Sequence, residues 1–428
     1  MTRQRPLFAV LYDLGAVPAG EIGAGLADLG DVVFLVPRES AHVAQLRPVM
    51  EMLGEVRTLT GDTAADVRLL REISPDAVLN FCEHLVRQAA EFAAALGLPG
   101  NSSHTARLFT DKALQRRTLR EKGVEKTVAH PLDTLGDWDA ALAAVGLPAV
   151  VKPVAGALSR QVHALRDKEE AAAVHARLAA LEAKGAWVPF VVEEYLEGRP
   201  CAPFGDFVSV ESLCLPTGIT HLAVTGKTPV MPPFRSTGRI WPSPLPQEEE
   251  QEVADLVTRA LEAIGAERGF AHTEVKLTPD GPRIIELNGR LSGFVNMMSR
   301  ESCDLDLVRI GALAALGEPM ALAPFSFGGR VHFQYNNLAP LRPCRLEAVH
   351  GAAAVRALPG VTTYRAFAHP GDDLPGGTMT SFLDAVSGVC DSHEAVVRTI
   401  EAVRSALTFD LRFDDGVRPV NGMDLPHY

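Results

Sequence analysis

The residues richest in chemistry lie together at 270–290, in the stretch FAHTEVKLTPDGPRIIELNGR. Pro279-Asp280-Gly281 is a turn signal between two runs of strand character. A turn centred on Asp280 sets Glu274 opposite Glu286 and His272 opposite Asn288. Side chains alternate along a strand, so these four share one face, and Val275, Ile285 and Leu287 take the other, toward the core. Two carboxylates directly opposite lie about 5 Å apart and repel each other. A divalent cation between them removes that repulsion. Two carboxylates and an amide oxygen form a hard donor set that suits magnesium, which completes its shell with waters and substrate phosphates. The alternative is a solvated polar face on an edge hairpin, and spacing alone leaves both open.

Lysines add a second element. Lys152 follows the apolar run Pro148–Val151 and precedes the small-residue loop Val154–Arg160. A lysine at a strand end beside such a loop holds phosphate oxygens, with loop N–H groups and Ser159 as further donors. Lys112 opens a helical turn in TDKALQR. The strand VVEEYLEG, 191–198, ends in acids, and its backbone is placed to line an adenine edge. Each of these has an ordinary surface reading when taken alone. Gly226-Lys227-Thr228 imitates the tail of a phosphate-binding P-loop, but His221 stands where its first glycine belongs.

These groups need a frame. Leu7–Tyr12, Val32–Val36 and Ala77–Phe81 are short apolar strands, and Glu21–Leu29 and Thr63–Ile73 have helical spacing. Strands alternating with helices predict an α/β fold with a parallel first sheet. No GxGxxG follows the first strand, so nicotinamide binding has no support. A charged helix is predicted over Thr105–Lys122, ending at Gly123, and others over 167–184, 247–264 and His393–Ala406. Strands are expected at Phe190–Tyr195 and within 206–230, and the proline-rich text at 229–246 reads as a loop.

Composition narrows the classes. At about 150 residues per domain, 428 residues suggest about three domains or lobes. Forty-one basic and 53 acidic residues give a net charge of −12, which disfavours nucleic acid or an anionic membrane as partner. The six cysteines form no CxxC and no zinc-like cluster, as expected of free thiols in a reducing compartment. No apolar run approaches the ~20 residues of a membrane helix. The basic start, MTRQRPLFAVLYDLG, is interrupted by Asp13 too early for a secretory signal, and a cytoplasmic protein is expected.

The order of the pieces resembles the ATP-grasp superfamily: DKxxxR at 111–116, VVKP and its loop at 150–160, VEEYLEG at 192–198, TEVKL at 273–277 and IIELNGR at 284–290. Within it, FCEH at 81–84, LGLPG, DFVSVE at 206–211, KTPVM at 227–231 and the Pro370-Gly371-Asp372 segment resemble the bacilysin-type L-amino-acid ligases. The resemblance implies a Rossmann-like N-terminal domain (1–105), a small lid subdomain (106–195), a large subdomain with the magnesium site (196–320) and a C-terminal α+β extension (321–428). It implies that ATP phosphorylates a small acid and that an amine then displaces phosphate. Lys112 and Lys152 would contact the phosphates and Ser159 would cover them. Glu193, Glu194, Tyr195 and Leu196 would line the adenine and ribose pocket. Glu274, Glu286 and Asn288 would hold magnesium, with manganese as an alternative, and Arg290 would stabilise the oxyanion. Glu83, Ser236, Arg239 and Phe294 would meet the substrates. Ser236 stands where these ligases carry a Glu, Arg239 where they carry a His, and Phe294 where they carry a Trp. A lost carboxylate beside two arginines, Arg235 and Arg239, implies an acid without a standard α-amino group, or with a second anion. A carrier-tethered substrate and a non-catalytic nucleotide sensor are the alternatives, and the resemblance is compatible with a homodimer.

Overall fold

The computed structural model describes residues 5–428, and the basic start at residues 1–4 lies outside them. The apolar runs of the first eighty residues form a four-stranded parallel sheet, in spatial order Glu55–Thr58, Asp31–Val36, Leu7–Leu11, Ala77–Asn80. Alternation sorts one strand into two cores. Phe8 and Val10 pack with Ile22 and Leu26, while Ala9 and Leu11 pack with Leu70 and Phe92. The Ala41–Leu53 helix and the Glu55–Thr58 strand were not expected, because neither carries a strong apolar period. The first helix is Ala19–Leu26 rather than Glu21–Leu29.

The expected helix over 105–122 is two helices, Ser103–Thr110 and Lys112–Glu121. Asp111 is the break. Its backbone is extended, and its side chain caps the second helix by accepting from the Leu114 N–H at 3.0 Å. A four-stranded antiparallel sheet follows, in order Ala129–Leu132, Phe190–Glu194, Ala149–Pro153, His163–Leu165.

An eight-stranded antiparallel sheet carries the rest of the candidate chemistry. Its order is Gly281–Asn288, Gly269–Thr278, Phe207–Leu215, Gly218–Lys227, Gly238–Trp241, Val331–Leu338, Phe382–Cys390, Val361–Ala366. Gly238–Trp241 is a strand inside the segment expected to be a loop. One face of this sheet buries Val208, Val210, Val275, Ile284 and Leu287 against Val253, Leu256, Val257 and Ala260 of the Gln247–Ala263 helix. The other face carries Ser209, Glu211, His272, Glu274, Lys227, Arg239 and Gln334 beside the buried apolar Leu213, Trp241 and Phe270. A last four-stranded sheet packs with the His393–Ala406 helix, whose bounds match the expected ones. All six cysteines are free. Among the described residues no helix is long and apolar enough to cross a membrane.

Candidate active site

The hairpin register places His272 opposite Asn288 and Glu274 opposite Glu286, as the spacing predicts. Beyond Glu274 the ladder shifts. Val275 pairs with Ile284, and Thr278 with Gly281, so Ile285 is an extra residue in a bulge. The turn is therefore the two residues Pro279 and Asp280, and the expectation that Ile285 faces the core is corrected: Ile284 is buried and Ile285 only partly so. Two errors of one residue cancel at the carboxylates.

Gly281–Asn288 is an edge strand, and the Lys112–Glu121 helix straps it. Gln115 accepts from the Leu287 N–H at 3.0 Å and donates to the Leu287 carbonyl at 2.9 Å. Arg116 donates to the carbonyls of Ile284 (2.5 Å) and Ile285 (2.6 Å), so the bulged residue keeps a partner. Glu125 accepts from the Ile284 N–H at 2.8 Å. An open edge is thereby satisfied by side chains, and the bulge is held in place.

The same arginine reaches the Phe190–Glu194 strand. Arg116 Nε lies 2.8 Å from Glu193 Oε2, and Lys152 Nζ lies 2.6 Å from Glu193 Oε1. Burial alone would raise the Glu193 carboxyl, but Arg116 and Lys152 override it and hold it at about 2. Burial draws Lys152 below its ordinary value, and Arg116 beside it adds to that. The Glu193 carboxylate is thus paired with two cations. Glu194 accepts from the Val128 N–H at 3.3 Å and lies 3.5 Å from Arg283 Nη2. The Tyr195 N–H donates to the Pro148 carbonyl at 3.2 Å, its ring lies 6.3 Å from that of Phe234, and Leu196 follows, half-buried.

Lys112 joins the glycine loop to the hairpin. Its Nζ donates to the Gly156 carbonyl at 3.0 Å and lies 3.4 Å from Glu286 Oε2. The loop is drawn tight: Leu158, Ser159 and Gln161 all have left-handed φ, near 57°. Ser159 Oγ donates to the Phe234 carbonyl at 2.8 Å, so the loop rests on the segment that carries Ser236, itself half-buried.

Arg290 Nε lies 2.8 Å from Glu83 Oε2, and its Nη2 faces Asn288 Oδ1 at 3.4 Å. Asn288 Nδ2 donates to the His272 carbonyl at 3.3 Å. Glu274 and Glu286 keep 30% and 19% side-chain exposure. Among the described residues no three His, Cys, Asp or Glu side chains form a ready metal cage. Two carboxylates and one amide oxygen fit magnesium, whose shell phosphates and waters complete.

Three groups on the sheet face that carries His272 and Glu274 escaped the sequence reading as site residues. Glu211 is buried, with Oε1 2.8 Å from His272 Nδ1, and His272 Nε2 is 3.4 Å from Glu274 Oε1. Burial would lower His272, but the two glutamates outweigh it and raise it. Lys227 is buried, and burial with Arg239 alongside brings it down to about 8. Gln334 accepts from Arg239 Nη1 at 2.6 Å. A charged residue inside an apolar run, as in FVSVESLCL, was the available signal for Glu211. Arg235, expected at the substrate, is buried and donates to the carbonyls of Pro232 (2.9 Å) and Ala339 (2.6 Å), so it props the loop.

A chain in which lysines, a tight small-residue loop and paired carboxylates meet between two antiparallel sheets has the layout of a nucleotide-gripping enzyme. Residues 145–297 match the ATP-grasp domain family. Alanine–anticapsin ligase of Bacillus subtilis (strain 168) is 28% identical over 241 residues, 53% of this chain and 51% of that protein. The chain thus spans about half the length of the curated relatives it matches. An L-amino acid ligase from Bacillus licheniformis superposes with a TM-score of 0.76 at 22% identity, covering 95% of this chain and 99% of that one. The biotin carboxylase domain of a Hydrogenobacter thermophilus 2-oxoglutarate carboxylase, solved with MgADP, ADP and bicarbonate, superposes at 0.69 with 17% identity, covering 97% and 92%. At these identities the structural likeness establishes the fold.

Proposed function

We propose that this chain is an ADP-forming carboxylate–amine ligase that joins an amino acid or related small acid to an amine. The observation that carries the reading is Lys112, which ties the small-residue loop to Glu286 of the opposed carboxylate pair. The acid's carboxylate oxygen attacks the γ-phosphorus of ATP as the bond to the ADP oxygen breaks. An amine then attacks the acyl carbonyl, and phosphate leaves. Lys112, Lys152 and Lys227 neutralise the phosphoryl charge, and Arg290 stabilises the tetrahedral oxyanion. Glu274, Glu286 and Asn288 would hold magnesium or manganese, which supplies charge neutralisation on the phosphates. Glu194, Tyr195 and Leu196 line the nucleotide base, Ser159 closes over the phosphates, and Glu83, Ser236, Arg239 and Phe294 bound the substrate space. Glu193 positions Lys152. No protein nucleophile is required, because the acyl phosphate is the activated species.

The working division is 1–105, 106–195, 196–320 and 321–428, the last two sharing the eight-stranded sheet. A cytoplasmic location, consistent with the six free thiols, and a homodimer belong to the same reading. The test is ADP release with Mg²⁺ and ATP across acids and amines offered singly and in pairs. Release that needs both partners and stops in Glu286→Gln is expected. Nucleotide binding without release under any acid would remove the ligase reading.

A further inference from the structure

Lys227 and Arg239 are directly opposite each other on adjacent strands, and Gln334 is opposite Arg239 on the next. Like charges so placed repel, and burial sharpens the repulsion. Among the described residues neither cation has a carboxylate within ion-pair distance: Glu211 is taken by His272, and Glu274 by His272 as well. Lys227 faces the phosphoryl side under the reading above. Arg239 does not, and it is the better built of the two. Gln334 Oε1 holds its Nη1 at 2.6 Å, and Gln334 is itself fixed by donating to Asn336 Oδ1 at 2.7 Å. The guanidinium lies over the Phe294 ring, 5.2 Å from its centroid. Phe294 is held with left-handed φ of 67°, and its ring packs edge-on against Phe367 (6.0 Å) and Phe382 (5.8 Å). A bulky residue in that conformation is strained and persists only where its surroundings hold it. The Arg239 Nε–H is buried and has no partner. A guanidinium clamped at one nitrogen, stacked on one face and unpaired along its Nε edge is a receptor for a planar carboxylate.

We infer that Arg239, clamped by Gln334 and stacked on Phe294, receives a second carboxylate of the acid substrate, so that the acid is a small dicarboxylate. This rests on the ligase reading for the fate of the first carboxylate. It differs from it in what it requires: binding, not turnover.

The experiment is calorimetric titration of the full chain, loaded with Mg²⁺ and a non-hydrolysable ATP analogue. The probes are succinate, glutarate, aspartate and glutamate, each against a monocarboxylate of matched length. At least one diacid is expected to bind ten-fold or more tightly than its counterpart. Arg239→Met, which keeps volume and removes charge, should abolish that preference. Gln334→Glu should abolish it too, by placing a competing carboxylate on Arg239 without loss of volume. Equal affinity for mono- and dicarboxylates, no diacid binding, or a preference that survives Arg239→Met overturns the inference. Diacid preference without ADP release in any pairing would instead leave this site standing and remove the ligase reading.

Discussion

Glu193 shows how one side chain organises the centre. Its two oxygens bind Lys152 and Arg116, and all three side chains are buried. Replacing it with Gln leaves two buried cations sharing a neutral amide. Breaking a buried pair from one side costs about 3–5 kcal/mol. Glu193→Gln is therefore expected to lower the denaturation midpoint strongly and to weaken MgATP binding, both readable by calorimetry. The pH dependence has a definite sign. A carboxyl held at about 2 adds stability that is complete above its ordinary value of 4.5 and is lost as pH falls toward 2. Wild type should lose stability across that acid window, and the variant should lose less. The sequence marks Glu193 as an acid ending an apolar strand, and it reads as pocket lining. Its partner Arg116 is 77 residues away, and local pattern carries no information about such a pair. The facing of Glu274 with Glu286 and of His272 with Asn288 was legible because one short segment with a strong turn signal sets it, whereas the helix expected to run through Asp111 hid the break and cap that place Lys112.

At the scale of elements, the bulged hairpin was legible in its outcome and not in its path. Alternation and a turn signal fix which residues face one another only if the ladder is regular, and a bulge is invisible to alternation. The bulge depends on Arg116, which takes the carbonyls of Ile284 and Ile285. Arg116→Met should free those carbonyls, re-aim Glu286 and lower kcat at least 100-fold, with KM for ATP raised. A kcat within three-fold of wild type would refute the strap. The C-terminal half of the sheet gives a second test. Asp384, on Phe382–Cys390, is fully buried beside Asn337 and Tyr364, accepting from Asn337 Nδ2 at 2.8 Å. Burial outweighs these bonds and raises its carboxyl from 3.8 to about 6. A raised carboxyl favours the protonated native state, so stability falls as pH rises from about 4 through 6. Asp384→Asn should stabilise the protein at pH 8 by about 2–3 kcal/mol, since each tenfold change in proton affinity between the native and unfolded chain is worth about 1.4 kcal/mol. Near pH 4 it should have no effect. Urea midpoints at the two pH values decide it.

The whole molecule closes over its centre through a contact among three distant segments. Ser159 Oγ reaches the Phe234 carbonyl, the Gln161 N–H reaches Thr378 Oγ1, and the Thr380 N–H reaches the Leu158 carbonyl. No sequence pattern announces this meeting, because 217 residues separate Gln161 from Thr378 and the segments share only polar, small-residue character. Each bond contributes about 1 kcal/mol net, so the latch alone holds the loop weakly. A loop in left-handed conformation at three positions adds strain that favours release. Under the lid reading, bound nucleotide is expected to hold the closed loop more firmly than these bonds do alone. Arg160 lies exposed within it and is a trypsin site. Cleavage after Arg160 should slow at least five-fold when Mg²⁺ and a non-hydrolysable ATP analogue are added. Thr378→Val, which removes one latch bond and keeps the shape, should speed cleavage in the free protein. It should also raise the ratio of ADP released to amide formed above one, because an acyl phosphate under an open loop meets water before amine. Nucleotide that leaves the cleavage rate unchanged would mean that the loop does not act as a lid. Faster cleavage in Thr378→Val with a ratio still at one would separate loop motion from protection of the intermediate, and would move that protection to the aromatic wall of Phe294, Phe367 and Phe382.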